Sequence, residues 1–226
     1  MLASGGLDST VAASVARRDG CQLYFLTVAY GQRHAVEVAQ ARLIGEALGV
    51  AGHLVVPLDL RVIGGSALTA DIPVPKDRTP DERSGPVPAT YVPARNTVFL
   101  ALAVAYAEAL RASAIYIGAN VVDYSGYPDC RPEFLKAFEQ VARLGTRAGL
   151  EGRPMEIRAP LLAMTKAEIV RLGLDLGAPL HLTHSCYDPA GGHVACGRCD
   201  SCRIRIEGFR AAGVADPIPY AAASKE

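Results

Sequence analysis

The chain has 226 residues, half of them hydrophobic and a fifth charged, enough to bury one sizeable core. Its 23 basic residues balance 23 acidic ones, so charge alone proposes neither a nucleic-acid nor a membrane-surface partner. The longest apolar run, Val98 to Ala107, is too short to span a bilayer, and no basic-then-apolar leader precedes the first motif, so a cytoplasmic address is expected.

The chain opens with Met1-Leu2-Ala3 and then Ser4-Gly5-Gly6-Leu7-Asp8-Ser9-Thr10. Paired glycines permit unusual dihedrals and close approach of backbone N–H groups to a ligand. The apolar residues that follow, to Arg18, read as a helix, whose start carries unpaired N–H groups and partial positive charge. The loop is thus a seat for phosphate; the plain alternative is a Gly-rich turn capped by Asp8 or Ser9. It is not a Walker A loop, because the lysine of that pattern is absent. Only three residues precede it, where a buried strand of about five is expected. Either the first strand is truncated or the natural chain begins further upstream, and the second reading is preferred.

Gln22 to Tyr30 reads as a buried strand, Val36 to Gly49 as a helix and its end, and His53 to Leu60 as a third strand. Residues 61–94 break the rhythm with Gly64-Gly65 and six prolines. So long a connection points to a functional or mobile loop, with a solvated insertion as the alternative. Thr97 to Arg111 is nearly all apolar, predicting a central, buried helix. Ile115–Ala119 and Met155–Ala159 read as strands. Glu133 to Leu144, entered through Pro132, and Lys166 to Leu176 read as helices. Repeated strand–helix units predict a parallel sheet with helices on both faces and ligands at the strands' carboxyl ends.

Four of six cysteines cluster: Cys186, then Cys196, Cys199 and Cys202. Cys-x-x-Cys spacing lets sulfurs converge on one ion, and four thiolates leave no open position, so a structural zinc is expected. His184 and His193 lie near as substitutes, and a redox pair or buried thiols is the alternative. Arg203 to Ala212 then reads as a helix behind the knuckle. The expected division is a phosphate-binding α/β unit over 1–180 and a zinc-binding subdomain with tail over 181–226.

Ser-Gly-Gly-x-Asp-Ser resembles the pyrophosphate loop of the ATP pyrophosphatase superfamily, whose members attach AMP to a substrate oxygen. Tyr30-Gly31-Gln32-Arg33-His34, Val92-Pro93-Ala94-Arg95-Asn96, Ser125-Gly126-Tyr127-Pro128-Asp129-Cys130-Arg131 and the terminal cysteines follow in that order. Together they resemble the 7-cyano-7-deazaguanine (preQ0) synthase family, from Ser4 to about Gly208. The resemblance implies a Rossmann-like, adenine nucleotide alpha-hydrolase-like fold. It also implies a carbon–nitrogen ligase of queuosine biosynthesis that uses ATP with Mg²⁺, ammonia and 7-carboxy-7-deazaguanine, and a homodimer.

By that resemblance Ser4, Gly5, Gly6, Leu7, Asp8, Ser9 and Thr10 hold ATP phosphates, with Asp8 also placed for Mg²⁺. Lys166 is a second phosphate contact, against the alternative of a solvated first-turn lysine. Arg95 and Asn96 contact adenylate or substrate carboxylate, Arg95 being otherwise a capping residue. Asp123, Ser125, Tyr127, Asp129 and Arg131 belong to the deazaguanine pocket, with Asp123 or Asp129 accepting the ring N–H groups and Tyr127 stacking. Cys130 is taken as structural. The family usually has glycine where Ala94 stands, and alanine resists positive φ, so that turn is expected to shift slightly. The rival readings are a tRNA-thiolating enzyme of the same superfamily and a zinc-knuckle binding module with a lapsed ATP loop. An oxidoreductase is disfavoured, because no Gly-x-Gly-x-x-Gly follows a strand.

Overall fold

A computed structural model describes residues 1–31, 36–83, 85, 87–122 and 127–222. Helix α1 is Leu7–Arg18, β1 Tyr24–Ala29, α2 Val36–Leu48 and β2 Gly52–Pro57. A four-residue turn of helix, α3, spans Pro80–Arg83, and the long α4 spans Arg95–Leu110. Then come β3 Ala114–Tyr116, α5 Pro132–Gly145, α6 Arg147–Leu150, β4 Glu156–Arg158, α7 Lys166–Asp175 and α8 Asp200–Ala212.

Strands β1 and β2 pair in parallel, as do β3 and β4. Residues 1–3 join the two pairs. Leu26 N–H donates to Met1 O at 2.9 Å, Ala3 N–H to Leu26 O at 2.9 Å, and Leu2 N–H to Tyr116 O at 3.0 Å. Met1-Leu2-Ala3 therefore does the work of a central strand, and the spatial order runs β2, β1, residues 1–3, β3, β4. Alternating side chains go to opposite faces. Ala3 and Phe25 pack with Ala13 and Ala16 of α1 and Ile44 and Leu48 of α2. Leu2 and Leu26 pack with Leu100 and Ala103 of α4 and Leu135 and Phe138 of α5. Helices cover both faces, as the alternation of elements predicts.

Three details differ from the sequence reading. Helix α1 begins at Leu7 instead of Thr10, with Gly6 as the extended residue before it. Strands β3 and β4 have only three paired residues each, because the chain at Gly118 meets α1; a Cβ there would sit 2.7 Å from the Ser9 nitrogen. Helix α4 is not buried all round. Asn96, Leu100, Ala103 and Ala107 face the core at helical spacing, and the rest of its apolar surface is half-buried or exposed. One helix layer covers this sheet face, so an apolar composition does not mean full enclosure.

The 61–94 connection is exposed along much of its described length but anchored at several points. Ala67, Leu68, Val74 and Val92 are buried with the four cysteines in one cluster. Lys76 bridges to Cys199, Asp77 N–H donates to Arg198 O at 2.9 Å, and Lys76–Asp188 (2.7 Å), Arg198–Asp77 (2.6 Å) and Arg78–Asp200 pair across the seam. The connection is a strap over the cysteine knuckle.

Ala94, just before α4, has φ 52° and ψ 26°. The alanine adopts the left-handed conformation that glycine would take without a Cβ penalty. Ala94→Gly is accordingly expected to stabilise the fold by about 1 kcal/mol, read as a raised denaturation midpoint; a lowered midpoint would show the turn to be unstrained.

Candidate active site

In this strand order the chain runs outward from residues 1–3 through β1 to β2, then returns to place β3 on the other side. Ligands of such sheets lie at the carboxyl ends beside that reversal. A cavity of about 210 Å³ lies there, lined by the loop after residue 3, the end of β1, the start of α4 and residues 117–120.

Gly5 has φ +77°, and a Cβ on it would lie 2.3 Å from the Glu37 carbonyl oxygen. Only glycine combines that dihedral with so close an approach to α2. The loop's donors are met by hydroxyls: Gly6 N–H donates to Ser4 Oγ (3.3 Å) and Leu7 N–H to Ser185 Oγ (3.3 Å). Ser4 Oγ also donates to Ser9 Oγ at 3.0 Å. These oxygens stand where the oxygens of a bound anion would accept the same N–H groups. His184 N–H donates to Gly5 O at 2.9 Å, fixing the loop from the other side. Ser4, Gly6, Leu7, Asp8 and Ser9 line the cavity; Gly5 and Thr10 do not. Thr10 is buried, and its hydroxyl donates to Gly6 O at 2.8 Å. Its place is to brace the turn.

Lys166 is not a solvated lysine. Its side chain is 7% exposed, with Nζ 2.6 and 2.8 Å from the Asp8 carboxylate oxygens. A capping box made by Thr165 and Glu168 fixes the start of α7. Behind the stem lies Gly208 of α8, where a Cβ would come 2.2 Å from the lysine Cγ. The ammonium is thus pinned beside the loop, within reach of any phosphate held there.

Arg95 and Asn96 open α4 on the opposite wall. The guanidinium lies 5.7 Å from the Tyr30 ring centroid and 5.9 Å from that of Phe99. Asn96 N–H donates to the Asp129 carboxylate (2.9 Å), and its side-chain amide reaches Asp129 O (3.1 Å) and Cys130 Sγ (3.3 Å). Asp129 is therefore a buried brace for the helix start, outside the cavity lining. Arg131 likewise lies outside it, donating to Pro128 O at 3.1 Å. Tyr127 does line the cavity, its hydroxyl 3.1 Å from Thr90 Oγ1. Asp123 and Ser125 fall outside the described residues. Burial pushes the Cys130 thiol up to about 11, which suits a packed side chain and not a sulfur carrier.

Sequence reasoning passed over several cavity residues, Glu37, Ser185 and Tyr187 among them. Glu37, in the first turn of α2, directs a carboxyl into the cavity; burial raises it to about 7, with Arg95 acting the other way. Ser185 takes the Leu7 N–H, and Tyr187 joins the wall. Glu37 lies three residues past the Tyr30–His34 motif, and Ser185 immediately precedes Cys186. Those positions were the available signals.

The four sulfurs of Cys186, Cys196, Cys199 and Cys202 lie within 4.8 Å of one another, and all four are free thiols. Tetrahedral zinc with bonds of about 2.3 Å needs sulfurs about 3.8 Å apart, and Cys196 and Cys202 stand at 4.0 Å. Cys196 N–H (3.2 Å) and Asp188 N–H (3.4 Å) donate to Cys186 Sγ, and Cys199 N–H (3.3 Å) and Arg198 N–H (3.4 Å) to Cys196 Sγ. Donors aimed at sulfur favour thiolate. The donor set fits a closed metal site.

A curated protein of Kineococcus radiotolerans named 7-cyano-7-deazaguanine synthase is 57% identical over 97% of this chain and 96% of its own. Namesakes from Anaeromyxobacter dehalogenans (58%; 98% and 94% covered) and Geotalea daltonii (56%; 100% and 97% covered) are similar to the same degree. The structure of NMN synthetase from Francisella tularensis aligns with 98% of this chain and 77% of its own, at 17% identity and TM-score 0.49. With residues 1–213 matching the family described as Queuosine biosynthesis protein QueC, the chain belongs to that family.

Proposed function

We propose that the chain is an ATP-dependent ligase that converts 7-carboxy-7-deazaguanine and ammonia to 7-cyano-7-deazaguanine, for queuosine biosynthesis. The observation that carries this is the Asp8–Lys166 pair beside an N–H-rich loop at the sheet's reversal point, in a chain of this family. A carboxylate is a poor electrophile because its leaving group would be oxide. Transfer of AMP to its oxygen makes a mixed anhydride that ammonia attacks to give an amide. A second AMP transfer, to the amide oxygen, lets that oxygen leave and the nitrile form.

In this reading the N–H groups of Gly6 and Leu7, with the hydroxyls of Ser4 and Ser9, take the β- and γ-phosphates. Lys166 neutralises charge that builds on leaving pyrophosphate. Asp8 would hold Mg²⁺, which supplies further charge neutralisation when bound. Arg95 holds the substrate carboxylate or the adenylate. Because Asp129 already accepts from Asn96, Asp123 is the better candidate to read the deazaguanine ring, with Tyr127 beside it. The four cysteines hold zinc in a structural role. The unit over 1–180 would carry ATP and that over 181–226 the metal. The enzyme acts on small molecules, binds neither nucleic acid nor membrane, works in the cytoplasm and is a homodimer. Among the described residues no helix is long and apolar enough to cross a membrane.

Incubation with ATP, ammonium and 7-carboxy-7-deazaguanine, read by mass spectrometry, should show the nitrile and two AMP per nitrile. Absence of nitrile, or AMP formation indifferent to the carboxylated base, would refute the reading.

A further inference from the structure

Among the described residues lining the cavity the carboxylates are Asp8 and Glu37. Asp8 pairs with Lys166 and, in the ligase reading, also takes Mg²⁺, so its carboxylate already serves the phosphates. Glu37 stands on another wall, at the start of a helix whose backbone lies against Gly5, so the backbone that carries the carboxyl is held beside the phosphate-type loop. Arg95 is the group whose charge acts on it directly, the Glu37 charge in turn helps keep the Tyr30 hydroxyl protonated, and Tyr127, Tyr187 and Lys166 are among the other polar groups of the cavity.

Resting on the ligase reading above, we propose that Glu37 binds the ammonium ion and accepts its proton in the amide-forming step, and takes protons from the same nitrogen in the nitrile-forming step. Ammonium has no lone pair, and near neutrality it is the main form of the nitrogen source. In the first round one N–H bond breaks to Glu37, the freed electron pair forms the C–N bond, and the C–O bond to AMP breaks with its electrons leaving on the phosphate. A further proton leaves nitrogen to give the neutral amide. In the second round the adenylated oxygen departs as AMP while nitrogen gives up its remaining protons and its electrons complete the triple bond. Glu37 passes each proton to solvent before the next. A carboxyl ionising around neutrality is basic enough to accept these protons and acidic enough to release them. Arg95 and Lys166 face the anionic partners, leaving the carboxylate as the matched site for a cation.

The test compares wild type with Glu37→Gln, using ammonium and then hydroxylamine, a nucleophile already neutral at pH 7. Glu37→Gln is expected to lose roughly 100-fold in ammonium-dependent product, to keep hydroxamate formation within a few-fold of wild type, and to melt at a similar temperature. Glu37→Asp, which retains the carboxylate, should recover part of the ammonium-dependent rate. Ammonium-dependent turnover near wild type in Glu37→Gln would overturn the proposal. So would equal losses with both nucleophiles, which would mark a role in adenylation or folding. If wild type itself made no nitrile the ligase reading would fall and take this inference with it; if wild type were active and Glu37→Gln unimpaired, Glu37 alone would be dismissed.

Discussion

Lys166→Ala is expected to slow ATP-dependent AMP release by roughly 100- to 1000-fold, the usual cost of removing one preorganised group that meets developing charge. The loss should fall on turnover more than on the apparent affinity for ATP, because the loop N–H groups and serine hydroxyls proposed to seat the phosphates remain. Asp8, 19% exposed with the lysine in place, would lose that partner, so a modest fall in melting temperature should accompany the rate loss. Lys166→Arg should recover little, because a longer, planar guanidinium cannot keep the ammonium's placement 2.6 and 2.8 Å from the two Asp8 oxygens. Steady-state AMP release at saturating ATP checks both variants. A Lys166→Ala enzyme within tenfold of wild type would place the lysine outside the chemistry.

Depriving the proposed zinc site of metal is expected to weaken ATP binding, although none of Cys186, Cys196, Cys199 and Cys202 lines the cavity. The route is mechanical. Cys186 follows Ser185 and His184, and these hold Leu7 N–H and Gly5 O. The knuckle also shares its buried cluster with Tyr30, Leu68, Val74 and Val92, so releasing it unpacks the strap and one wall of the cavity. Structural zinc is worth on the order of 10 kcal/mol in small domains, comparable to the whole stability of a typical fold. A strong chelator, or Cys199→Ser, is therefore expected to lower the melting temperature by more than about 10 °C and to weaken ATP binding at least tenfold. Calorimetric titration with a non-hydrolysable ATP analogue reads the second effect. Metal-free protein that melts and binds as before would uncouple the knuckle from the loop.

Much of the architecture was legible because local pattern and tertiary role coincide. Val36–Leu48 and Pro132–Gly145 carry apolar residues at helical spacing and are helices to within a few residues of the expected limits. The phosphate-type loop and the cysteine cluster each carry their chemistry in a short stretch. Elements whose fate depends on what covers them were not legible. Helix α4 has apolar residues on every side, and nothing local says that one face lacks a covering layer. Asp123 and Asp129 look alike in sequence; only packing sets the second aside as a brace under Asn96. Glu37 and Ser185 reach the cavity through contacts made far along the chain, to Gly5 and Leu7, and no pattern within their own elements announces that. The anchoring of the 61–94 connection is not legible in sequence, because its ion-pair partners Asp188, Arg198 and Asp200 lie more than a hundred residues away.

The serine hydroxyls that engage the loop's N–H groups bear on how fast the proposed reaction can cycle. Departing pyrophosphate would ordinarily leave behind bare donors, a penalty that slows escape. Here Ser4 and Ser185 are already within reach of those donors, so each departure is compensated as it happens. An enzyme that must clear its phosphate pocket twice per molecule of nitrile gains turnover from such built-in substitutes, at the expense of some grip on ATP.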